Sequence, residues 1–163
     1  MDENRRQTAC FTGHRILKEP TAELKRRVSA VVKELIQREY RYFSVGGARG
    51  FDALASEAIL KLRERDPRIH LVLVLPFENQ YSHERNWSEE EIAQYYRLKE
   101  QASKVIVLAP SYDLGLYYRR NRHLVDNAST CVAYMTRENS GTGYTVRYAR
   151  SKGVQVVNIA GIG

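Results

Sequence analysis

Glycine, arginine and hydroxyl side chains gather at three points of this chain: Thr12-Gly13-His14-Arg15, Gly46-Gly47-Ala48-Arg49-Gly50-Phe51-Asp52 and Gly141-Thr142-Gly143-Tyr144-Thr145. The chemistry this combination performs is anion binding. Glycine lets backbone N–H groups approach a ligand, a helix start leaves those groups unpaired, and arginine adds a charged fork. In a parallel sheet such turns all open on the carboxyl edge of the strands and converge on one ligand. A phosphate-bearing small molecule is therefore expected, a nucleotide above all.

The second turn has neither the spacing of a dinucleotide fingerprint nor the Gly-Lys-Ser/Thr of a Walker loop. Its expected parts are Gly46, Gly47 and Gly50 for close approach, Arg49 for the phosphate, and Asp52 as helix N-cap. In the third turn, Gly141, Thr142, Gly143 and Thr145 open a helix, and Gly143 is expected to need a conformation only glycine tolerates. In the cluster Arg119-Arg120-Asn121-Arg122-His123, Asn121 and Arg122 are read as ligand contacts, with Asp126 a helical turn on. The alternative is an exposed Arg122–Asp126 pair.

Trp87 stands beside Tyr81, Phe77, Tyr95 and Tyr96 as a platform on which a base would stack. It equally fits the staple of a capping box at Ser88-Glu89-Glu90-Glu91. His14 and Arg15 share the first glycine turn and are placed at the ligand. The four histidines and two cysteines show no metal spacing, so no metal is expected, and Cys10 and Cys131 read as reduced, buried thiols. No cofactor beyond a nucleotide-type ligand is expected.

These groups need a frame. Strand-like runs at Ala9–Thr12, Tyr42–Val45, Ile69–Leu75, Lys104–Leu108, Cys131–Met135 and Val154–Ile159 alternate with helical spacing at Pro20–Glu39, Phe51–Arg65, Ser88–Ala102, Tyr117–Ser129 and Thr142–Lys152. That alternation predicts an α/β fold, a doubly wound and mostly parallel sheet in a single domain over 1–163. The near-continuous apolar run at Ile69–Leu75 marks a central strand, and the stretches Pro76–Trp87 and Ala109–Leu116 are candidate lids.

At 163 residues and 43% hydrophobic, one core accommodates the chain. Its first residues are charged and no membrane-length apolar run follows, so a cytoplasmic protein with no membrane partner is expected. The net charge of +7 raises the prior for polyanions. A small-molecule nucleotide is the expected partner ahead of nucleic acid, and homo-oligomerisation stays open.

The order Thr-Gly-His-Arg, Gly-Gly-Ala-x-Gly-x-Asp, Asn-Arg-x-x-Val-Asp and Gly-Thr-Gly-x-Thr-x-x-Tyr-Ala resembles the YpsA-like branch of the SLOG superfamily, from Phe11 to about Ala160. That superfamily joins the Smf/DprA DNA-processing proteins with the LOG, "lysine decarboxylase-like", phosphoribohydrolases. The resemblance implies a Rossmann-like domain holding a nucleotide or nucleotide derivative at the strand carboxyl edge, as sensor or effector. LOG enzymes pair an arginine, which Arg122 resembles, with a glutamate after the last glycine turn. Here Thr145, Val146, Arg147 and Tyr148 follow Gly143 and no glutamate does. The resemblance thus carries over the phosphate site rather than the hydrolysis. The alternatives are a LOG-like nucleoside monophosphate phosphoribohydrolase, with Asp52, Glu57 or Asp126 as the acid, and a DprA-like single-stranded nucleic-acid binder.

Overall fold

The computed structural model describes residues 3–161. Six parallel strands form one sheet in the order β4-β3-β2-β1-β5-β6: β1 Thr8–Gly13, β2 Tyr42–Val45, β3 His70–Leu75, β4 Lys104–Val107, β5 Thr130–Tyr134 and β6 Gln155–Asn158. Each expected strand is present, with its ends within one residue of those expected. The helices are α1 Glu3–Arg6, α2 Thr21–Gln37, α3 Phe51–Arg63, α4 Glu89–Gln101, α5 Leu116–Asp126 and α6 Gly141–Ser151. The unexpected one is α1, a single charged turn too short to show an apolar period.

Right-handed crossovers decide which helix covers which face. From β1 the chain steps outward to β4, then returns across the sheet to β5 beside β1 and continues to β6. Reversing the direction of travel at constant hand moves the helices to the opposite face. Accordingly α2, α3 and α4 bury Leu24, Val28, Ile59 and Leu98 against Phe11, Phe43 and Leu73 on one face. On the other, α5 and α6 bury Leu124, Val125 and Ala149 against Cys10, Val74 and Cys131. Cys10 and Cys131 lie opposite each other in the β1–β5 register as free, buried thiols, and their mutual hydrogen bond followed by burial pushes the Cys10 thiol well up.

The switch of direction falls between β1 and β5, whose following turns lead to helices on opposite faces. Such a point leaves a crevice at the carboxyl edge. The two long irregular stretches pack on each other beside it: Gln80–His83 forms a 3₁₀ turn, and the His83 ring stacks on Tyr112 at 3.6 Å. Among the described residues no helix is long and apolar enough to cross a membrane.

Candidate functional site

A cleft of about 740 Å³ opens at this switch point. Its walls are the turn after β1 (Gly13, His14, Arg15, Lys18), the turn after β2 (Ala48, Arg49, Asp52), the first turns of α5 (Tyr117, Arg120, Asn121), and the segment from Arg137 to Thr142. All three glycine turns contribute. The cleft is cationic, with Arg15, Lys18, Arg49, Arg120 and Arg137 set against Asp52 and Glu84.

Arg120 anchors the floor. It is 5% exposed, donates from Nη1 to the Gly46 carbonyl and from Nε to Asn121 Oδ1 at 2.9 Å, and lies over the Tyr117 ring. A side chain on Gly46 would overlap the guanidinium. Gln80, fully buried, donates to the Gly47 carbonyl at 2.6 Å, so the turn is held from both sides. Gly47 and Gly50 take φ of +75° and +77°, the left-handed region this tight turn requires.

Asp52 is not the N-cap of α3. Gly50 occupies that position with no side-chain cap, and Asp52 lies inside the first turn, accepting the Ala48 N–H at 3.1 Å. With one such bond and 6% exposure, burial pushes its carboxyl up to about 6, against the pull of Arg120 and the Ala48 N–H. The expectation of a helix cap gives way to a buried acid whose pKa is raised to about 6.

Beside it, Glu84 pairs with Arg15 at 3.0 Å and accepts from the Tyr117 hydroxyl at 3.0 Å, bracing the long loop against the first turn. Burial, then Glu84, pushes the Tyr117 phenol up. His14 accepts the Thr136 N–H through Nε2 at 2.9 Å, which ties the turns after β1 and β5 together. Burial, with Arg137 and Lys18 nearby, lowers the His14 pKa, in keeping with a ring held neutral by that bond.

The start of α6 is capped from within, the Ser140 hydroxyl accepting the Gly143 N–H at 3.0 Å. Gly141 and Thr142 face the cleft, whereas Thr145 is buried and donates to the Gly141 carbonyl. Gly143 does not have the positive φ expected of it. It is glycine because a Cβ would run into the Glu138 carbonyl.

Arg122, Asp126, Trp87 and Glu57 lie outside the cleft. Arg122 donates to the Tyr144 hydroxyl at 3.0 Å, and Asp126 accepts from Tyr148, so both serve the α5–α6 seam. Trp87 donates to Glu84 at 2.8 Å and packs on Tyr81 and Tyr95, beside a capping box formed by Ser88 and Glu91. Glu57, the remaining candidate acid, pairs with Arg97 at 2.9 Å on α4. The arginine of α5 that lines the cleft is Arg120, a residue the sequence pattern did not single out. Leu116, Arg120 and Leu124, four residues apart, share the buried stripe of α5, from which Arg122 is rotated by about 200°.

Fold and cleft define a Rossmann-like α/β domain with its crevice at the switch point. Structures of this class include DNA processing protein A from Streptococcus pneumoniae (TM-score 0.68, 16% identity, 98% of this chain and 52% of that one). Another is the Helicobacter pylori protein, whose single-stranded DNA binding mode has been described (TM-score 0.65, 15% identity, 94% of this chain). The chain spans 65% of the length of the Helicobacter pylori protein. The chain belongs to the YspA SLOG family, which it matches over residues 17–157. Among curated proteins it is 28% identical over 148 residues, 82% of this chain and 85% of the relative, to an uncharacterized SPbeta prophage-derived protein, YoqJ, of Bacillus subtilis (strain 168).

Proposed function

We propose that this domain binds a nucleotide or nucleotide derivative, its phosphate in the switch-point cleft, and acts as a sensor or effector. The observation that carries the reading is the convergence of Arg15, Arg49, Arg120 and Arg137 with the α6 start on one crevice. An anion there meets guanidinium donors and the positive end of a helix together. The test is calorimetric titration of nucleoside monophosphates. Arg137 is exposed, so Arg137→Ala leaves the fold alone and should weaken binding by about 1.5–3 kcal/mol, the value of a charge-assisted hydrogen bond. Undiminished affinity in that variant would remove the cleft from the reading.

Asp52 favours a second reading. A buried carboxyl titrating at about 6 beside a cationic cleft suits general acid–base work on an N-glycosidic bond. Release of free base from a nucleoside monophosphate, abolished in Asp52→Asn with nucleotide affinity retained, would make the domain a hydrolase. Binding without release keeps it a sensor.

A further inference from the structure

The cleft uses the carboxyl edge of the sheet and leaves a second concavity unexplained. It lies toward the amino edge, on the α5 face of the sheet, where α5 and, from α1, Asn4 and Arg5 border β2, β3 and β4, and has a volume of about 460 Å³. A parallel sheet normally has both faces covered by helices. Here Val72, Val74 and Ile106 form an apolar floor, with Leu124 of α5 on the flank.

Two polar atoms of the residues that line this groove, one on the sheet and one on α5, have no partner among the described residues. The Ser44 hydroxyl, on a residue 6% exposed, makes no hydrogen bond among the described residues, and neither does the enclosed Nδ1 of His123. A buried polar atom without a partner is costly, and native structures hold few. The rim supplies Arg5, Lys104 and His70, and no carboxylate lines the groove among the described residues. Elsewhere on this chain arginines and lysines are repeatedly paired with acids, as in Arg27–Glu19 and Lys99–Glu78.

We propose that this groove is a second ligand site that takes a small organic anion with an apolar body. The body lies on Val72, Val74 and Ile106. The acid group faces Lys104 and Arg5, and the Ser44 hydroxyl gains the partner the protein does not give it. The volume is that of a metabolite-sized pocket, and a few placed polar groups over an apolar floor are what fixes such a ligand. Leu124 touches both concavities, and the rest of their linings are separate.

The probe is 1-naphthalenesulfonate, with 1-naphthalenemethanol as its neutral counterpart, titrated into the full chain with and without saturating adenosine monophosphate. The expected result is a single saturable site that prefers the sulfonate by about fivefold or more, roughly one kcal/mol. Lys104, exposed on β4, is replaced without risk to the core, and Lys104→Glu should erase the preference. Ser44→Ala should weaken binding while leaving thermal stability unchanged or raised, since its hydroxyl has no partner to lose. Equal affinity for the two probes, indifference to Lys104→Glu, or displacement by adenosine monophosphate would overturn the proposal. A dimer that Lys104→Glu dissolves, with no probe binding, would give the groove to a second copy of the chain and overturn it equally.

Discussion

Asp52 shows how much depends on one side chain's surroundings. Its carboxyl is raised from 3.8 to about 6, so between those pH values the folded state holds a proton that the unfolded state has lost. Stability from this group is therefore present at low pH and lost as pH rises toward 6, the reverse of a salt-bridged carboxylate. Asp52→Asn removes the titration. Relative to the parent, the variant should gain about 1–3 kcal/mol between pH 4 and pH 7, whatever its absolute stability, because its amide also changes the surroundings of buried Arg120. Urea unfolding at the two pH values measures this, and a constant difference would mean that Asp52 titrates normally. His14 shows the usual sense. With its pKa held down, its contribution is present above about 6.5 and lost as pH falls, when protonation would break the Thr136 bond.

Helix register decides which basic residues reach the cleft. On α5, the residues two apart, Arg120 and Arg122, project to nearly opposite sides, one over Gly46 and the other onto Tyr144. Arg122→Ala should therefore leave nucleoside monophosphate affinity within about twofold, while Arg137→Ala loses tenfold or more. Equal losses would place Arg122 at the ligand after all. The α6 start is equally specific, because Gly143 packs flush against the Glu138 carbonyl. Gly143→Val should lower unfolding free energy by about 1–3 kcal/mol through overpacking, without any ligand present. A normal melting temperature in that variant would show that the segment yields. At α4 the complete capping box makes Ser88→Ala worth about 1 kcal/mol in the same measurement.

For the molecule as a whole, the net charge of +7 raises the question of polynucleotide binding. The cleft gathers five cations, Arg15, Lys18, Arg49, Arg120 and Arg137, at the switch point. Mononucleotide affinity should change little with salt in comparison with single-stranded oligonucleotide affinity, whose logarithm falls with a slope of about −0.7 per phosphate contacted. If oligonucleotides bind more tightly than mononucleotides at about 0.15 M salt and show a steep slope, the domain binds strands. Titration by fluorescence anisotropy across salt concentrations distinguishes the two.

What the sequence determined was the alternation and the chemistry at the turns. Apolar period and breakers located six strands and five of the helices, because those signals are local. Glycine turns after strands could be read as one edge of a sheet, because a parallel crossover leaves no other arrangement. Only the tertiary structure decided which side chains share the cleft. Arg120 rather than Arg122 faces it because of where α5 lands on β1 and β3, and Arg137 and Glu84 enter from loops whose course no periodicity encodes. The protonation of Asp52 was likewise illegible, since it depends on burial and on a guanidinium far along the chain rather than on its neighbours in sequence. The groove above Ser44 exists because few elements return across the face of β2, β3 and β4.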